Sequence, residues 1–160
     1  MKKLRLFGYL LIISVLALMT ACTSNSSSTT IDAMQKRVDE VERQVEVLYN
    51  QDFNYLVGEY QALDTTVAMT QDIGEEMELL QAYLQQFETQ RVVIKENVNM
   101  SRKQLSDLQY DINNKRFDDE TASKYINDEE KELRKMEAQI KYFQDRFDAQ
   151  KVVVKQLKME

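Results

Sequence analysis

Histidine, proline and tryptophan are absent from these 160 residues, cysteine occurs once and glycine three times. Each absence narrows the field. No proline and so little glycine leave little material for hairpin turns, which argues against an all-β fold. Without histidine the commonest metal ligand and general base is missing. What remains is 43% hydrophobic and 30% charged, a balance that suits a folded, water-facing protein at the length of one ordinary domain.

The first 22 residues read as an address rather than as fold. Lys2, Lys3 and Arg5 form a basic start, Leu6 to Met19 is a mostly apolar run, and small residues follow up to Ala21 and Cys22. The run is shorter than the roughly 20 residues a spanning helix needs, and its order is that of a secretory signal peptide. Met19-Thr20-Ala21-Cys22 resembles the lipobox of bacterial lipoproteins, with methionine in place of the more usual leucine. The resemblance implies cleavage between Ala21 and Cys22, lipidation of Cys22, and a partner in the membrane itself. A lipidated thiol has no redox role and forms no disulfide. Thr23 stands where the family's inner-membrane retention signal would place an aspartate. The implied address is therefore the outer membrane, facing the periplasm, or the plasma membrane if the source has one membrane. Thr23 to Thr30 reads as a polar, low-complexity tether.

From residue 31 onward hydrophobic spacing takes over. The first segment carries Ile31, Met34, Val38, Val41 and Val45, then Tyr49, Phe53, Leu56, Tyr60, Leu63 and Val67. That is a heptad seam with a stutter around Tyr49, which locally unwinds a coiled coil. The second seam runs from Ile73 to Ile112 and the third from Ala122 to Leu157, each on an unbroken 4-3 repeat. Arg91, Ser101, Glu129 and Gln150 are polar exceptions on those seams. Period-2 alternation fits none of the three segments. The expected fold is all-α, with long helices over about 31–69, 73–113 and 119–158. Asp72 with Glu75 looks like a capping box at the first break. At the second break, Asn113 to Phe117 precede Asp118-Asp119-Glu120, acids suited to a helix N-terminus.

Near-equal lengths favour an antiparallel coiled coil, a three-helix up-down-up bundle of roughly 60 Å. In the alternative, the first two segments form one very long helix and only the third folds back. That form leaves the first seam exposed and calls for a partner or self-association. Folding the second helix onto the third pairs positions that sum to about 234. Val98 then meets Met136, and the polar exceptions fall in separate layers. Scattered exceptions do not make a buried metal or catalytic cage.

Charge separates further possibilities. The chain carries 27 acidic and 21 basic side chains, a net −6. Losing Lys2, Lys3 and Arg5 with the signal peptide would make it −9, a balance that repels phosphate backbones and argues against nucleic-acid binding. An acidic helix face is ordinary solvated surface or a means of steering a basic partner. No nucleophile–base pair and no glycine-rich phosphate loop occur, so neither enzyme activity nor a cofactor or metal site is expected. Asn25-Ser26-Ser27 and Asn99-Met100-Ser101 match a common glycosylation pattern. Asp64-Thr65-Thr66 resembles the O-glycosylation acceptor of Bacteroidota envelope proteins, or is simply a helix end. Tyr55, Tyr83, Tyr110, Tyr125 and Tyr142 lie beside or off the seams, as contact residues or as half-buried flanks.

These features point to a lipid-anchored, extracytoplasmic helical protein that works by binding, as an adaptor or scaffold for an envelope protein. Two alternatives share the architecture. A periplasmic holdase would be similar to the helical-tentacle chaperones, whose basic surface this chain lacks. A structural spacer would resemble the major murein-tethering lipoprotein, but here the terminus is Lys158-Met159-Glu160 rather than a terminal lysine able to join peptidoglycan.

Overall fold

The computed structural model describes residues 27–66 and 71–158, and of 64–66 and 71–73 the backbone alone. The lipobox, the first half of the tether, Val67 and the last two residues lie outside the described residues. Three helices make up nearly all that is described: α1 over 27–66, α2 over Gln71–Asn113 and α3 over Asp119–Leu157.

Cross-helix contacts fix the topology. Asp32 accepts from Gln109 Nε2 at 2.9 Å, Asp39 and Glu42 each accept from Arg102 at 2.8 Å, and Glu46 pairs with Lys95. Residue numbers rise on α1 as they fall on α2, so the two are antiparallel. Against α3 they rise together: Arg37 meets Glu130 and Glu137, Asp52 meets Lys151, and Glu59 meets Lys158. The chain is an up-down-up three-helix bundle. A continuous α1–α2 helix is ruled out, because α1 buries its own seam against both neighbours instead of leaving it in water.

Two boundaries differ from expectation. α1 is already helical at residue 27, so the last four residues of the expected tether belong to the rod. Ile31 is fully buried and Ser28 Oγ lies 3.5 Å from Gln109 Nε2, so the first turn has packing to hold it. The backbone is already helical at Gln71, so α2 begins before Asp72, the expected capping position.

The second break falls where the sequence put it. α2 ends in a paired-bond C-terminal motif: Lys115 N–H donates to Ile112 O at 3.0 Å and Arg116 N–H to Asp111 O at 2.9 Å. Lys115 sits at φ 54°, the left-handed position more often given to glycine. Asp118 then caps α3, accepting from Thr121 N–H at 2.8 Å, and hydrogen bonding from the Thr121 side chain, followed by this N–H, holds its carboxyl below the usual range. Asp119 and Glu120 occupy the first turn, where negative charge complements the helix dipole.

The stutter takes a specific form. Leu48–Phe53 is a π-helical stretch, with Asn54 N–H bonded to Tyr49 O five residues back. From Val45 a regular seam would continue to Leu48, Asp52 and Tyr55, whereas the hydrophobic pattern resumes at Phe53 and Leu56, one residue late. A π turn holds one residue more than an α turn, so it absorbs the surplus without rotating the rest of α1 off the core. In consequence Leu48 and Asp52 join the core while Tyr49 is only half-buried.

At the same level lies the aromatic centre of the bundle. Phe87 of α2 is fully buried, with ring centroids 5.6 Å from Phe53 of α1 and 5.1 and 5.0 Å from Phe143 and Phe147 of α3. The contact between Phe87 and Phe147 matches the register expected for the α2–α3 hairpin. Met77 to Leu108 on α2 and Ala122 to Val154 on α3 supply the remaining core at their 4-3 positions.

Candidate interaction site

Cys22 and Ala21, the residues that carry the lipidation reading, lie outside the described residues, as do Asn25 and Ser26. Asp64-Thr65-Thr66 is helical in its backbone at the end of α1. Ser101 of the other glycosylation match is buried at mid-helix. Among the described residues no helix is long and apolar enough to cross a membrane.

The polar side chains that meet within the bundle serve its register. Arg37 on α1 forms a fork: Nε and Nη2 donate to Glu137 at 2.9 and 2.8 Å, and Nη1 donates to Glu130 at 2.7 Å. The two glutamates are one heptad apart on α3, so a single guanidinium fixes the axial position of α1. Hydrogen bonding to Glu137 and then Glu130 raises the Arg37 pKa, and the Arg37 bond lowers that of Glu130. One such position higher, Lys151 bridges the buried Asp52 at 2.6 Å and Asp148 at 3.0 Å. Burial works against the Lys151 ammonium, but its hydrogen bonds to Asp52 and Asp148 outweigh it and raise its pKa. A seam through Tyr49 passes over Asp52, whereas the regular repeat extended past Val45 reaches it.

The polar seam residues occupy separate levels, as expected. The Arg91 guanidinium lies 3.7 Å from the Tyr49 ring centroid, an arrangement that lets its charge rest on an aromatic face. Gln150 is buried with Oε1 unpaired. Glu129 stands apart from both. Its Oε2 is shut off from solvent without a hydrogen-bond partner, and Asp128 and Glu132 flank it. Burial first, then those two carboxylates, push its pKa up.

That shift has a sign. A folded pKa above the unfolded value near 4.5 means that Glu129 loses stability as pH rises through its folded pKa, and loses none below the unfolded one. Glu129→Gln is therefore expected to raise Tm at pH 7, with the gain vanishing below the unfolded pKa near 4.5. Thermal melts of both proteins at the two pH values check this.

The grooves on either side of α1 are closed by charge. Every ion pair between helices among the described residues has one partner on α1. The third groove, between α2 and α3, is different. It holds an open depression of about 530 Å³ lined by Met100, Gln104, Tyr125, Glu129 and Lys135 among others. Higher up, Arg146 of α3 covers the Tyr83 ring of α2 at 5.2 Å. Of the off-seam tyrosines, Tyr55, Tyr110, Tyr125 and Tyr142 are exposed, and Tyr83 is half-buried beneath Arg146.

The molecule thus belongs to the all-α class, as a long three-helix bundle. No protein-family model, no curated protein and no solved structure matches the chain.

Proposed function

We propose that this protein is a lipid-anchored, extracytoplasmic adaptor that holds a binding surface on a rigid helical rod, and that it works by association rather than catalysis. The observation that carries the reading is the union of two features in one chain. One is a lipobox-like Met19-Thr20-Ala21-Cys22, and the other is a rod whose helix begins no later than residue 27. Four residues lie between Cys22 and that point, five Cα-to-Cα steps with a reach of at most about 18 Å. The antiparallel packing sets the start of α1 beside Gln109, so the α2–α3 turn shares the anchored end. The far end, where α1 gives way to α2, stands roughly 60 Å away. Acyl chains on Cys22 contribute about 0.8 kcal/mol of membrane affinity per buried methylene, and several together make attachment effectively permanent.

The anchor is tested with Cys22→Ala. The variant is expected to lose incorporation of labelled fatty acid and to leave the membrane fraction on separation. Labelled, membrane-held Cys22→Ala protein would end the lipoprotein reading while leaving the bundle untouched.

A further inference from the structure

The α2–α3 groove lacks what closes the other two. Number the α2 seam so that Met77, Leu84 and Val98 are a positions and Leu80, Phe87 and Ile94 are d positions. The e positions, such as Lys95 and Arg102, then face α1 and are paired. The c and g positions face the α2–α3 groove, as the placement of Met100 and Gln104 in its depression shows. From Leu79 to Gln104 every c and g position of α2 is uncharged, as are the adjoining b positions from Gln85 to Ser106, while the e and f positions carry Glu88, Lys95, Glu96, Arg102 and Lys103. Leu79, Val93 and Met100 on this stripe are 42%, 39% and 56% exposed. Tyr125 and Tyr142 border it from α3. Solvated helix faces do not need an uncharged row of this length; a face that receives another helix does.

The anchored end of the same groove is acidic. Asp111, Asp128 and Glu132 are matched by Arg116, Lys131 and Lys135. Asp107 and Glu129 have no basic partner among the described residues, and Glu129 Oε2 is both dry and unpaired. A buried carboxylate oxygen left in this state is stabilised by an incoming cationic donor.

We infer that the α2–α3 groove docks an amphipathic helix of another protein, with its apolar face over the Leu79–Gln104 stripe and a lysine or arginine reaching Glu129 and Asp107. Such a helix completes a four-helix bundle. A second copy is the poorer occupant, because it brings its own acidic groove and a net charge of −6. This inference rests on the reading of the protein as a binder, and not on the lipid anchor.

The test uses the full-length protein in mild detergent and two synthetic amphipathic helical peptides. They share one apolar face and differ in ending with lysine and arginine or with glutamate. Fluorescence anisotropy gives their affinities for the native protein, Met100→Asp and Glu129→Gln. Met100 is more than half exposed, so its replacement leaves the core alone; Val93→Asp serves as the second variant, and circular dichroism confirms that both are folded. Docking in the groove predicts that the basic peptide binds and the acidic one does not. It also predicts that Met100→Asp weakens binding by about tenfold or more, as when an interface anchor is lost, with a smaller loss for Glu129→Gln.

Attraction by overall charge predicts the opposite for Met100→Asp, since added negative charge tightens a basic peptide. Equal or tighter binding there, or no binding of the basic peptide to the native protein, overturns the inference. Self-association in sedimentation that Met100→Asp abolishes overturns it too, and makes a second copy the occupant. None of these results bears on whether the protein captures a partner elsewhere on its surface.

Discussion

Phe87→Ala is expected to lower the unfolding free energy by about 4 kcal/mol, within the range for removing a fully buried phenylalanine. The ring touches Phe53 on α1 and Phe143 and Phe147 on α3, so it is the common contact of all three helices. Two of those contacts are edge-on, at interplanar angles of 68° and 75°, which adds to the loss of buried area. Its neighbours are themselves large rings fixed on rigid helices, which cannot collapse into the space left behind. Tm should fall by about 10 °C or more. Urea denaturation measures the effect directly, with the midpoint moving and the slope unchanged. Val152→Ala, at a residue 58% exposed, should stay within about 0.5 kcal/mol of the native protein. A Phe87→Ala cost as small as that would mean that the aromatic layer does not hold the bundle together.

Single-residue deletions separate the π turn from regular helix still more sharply. Removing Gln51, exposed within the π turn, brings Val45, Leu48, Phe53, Leu56, Tyr60 and Leu63 onto one continuous 3-4 repeat. The shortened α1 then needs no surplus turn. The protein should stay helical, with stability within about 1 kcal/mol of native, a surface-like change. Removing Glu96, equally exposed but in the unbroken seam of α2, has no surplus residue to compensate it. One side of α2 is then rotated by about 100°, taking its apolar residues off the core. Each buried side chain lost contributes roughly 1.5–3 kcal/mol. A few of them exceed the whole stability of a domain, about 5–15 kcal/mol. The Glu96 deletion should therefore fail to fold cooperatively, and circular dichroism with thermal melting reads both outcomes. Equal damage from the two deletions would contradict the assignment of the π turn as the site that absorbs one extra residue.

Much of this architecture is written in hydrophobic spacing, because a heptad seam states both the helix and the face it buries. The α2 and α3 cores follow their 4-3 repeats almost residue for residue, and the second turn lies where Asn113 to Asp118 interrupt them. One surplus residue in α1 blurs the pattern. A seam drawn through Tyr49 to Phe53 passes over Leu48 and Asp52, whereas the wider turn buries Leu48, Asp52 and Phe53 and leaves Tyr49 half-buried. The start of α1 is equally silent in sequence, since serine and threonine carry no apolar period even when tertiary packing holds them helical. The third groove was harder to see. Off-seam tyrosines were legible one at a time, but their meeting with Met100 and Glu129 depends on which edge of α2 faces α3. Two of the three grooves had to be closed by ion pairs to α1 before the remaining one stood out.

Adaptor function by association is the central proposal, and crosslinking inside living cells tests it most directly. A photoreactive residue at Val93, in the α2–α3 groove, is compared with one at Lys103, on the outward face of α2, and the captured proteins are identified and counted. The account predicts one dominant partner at near-equal stoichiometry, caught from Val93 and not from Lys103. A broad set of unfolded envelope precursors, caught equally from both positions, would contradict it and make the protein a chaperone.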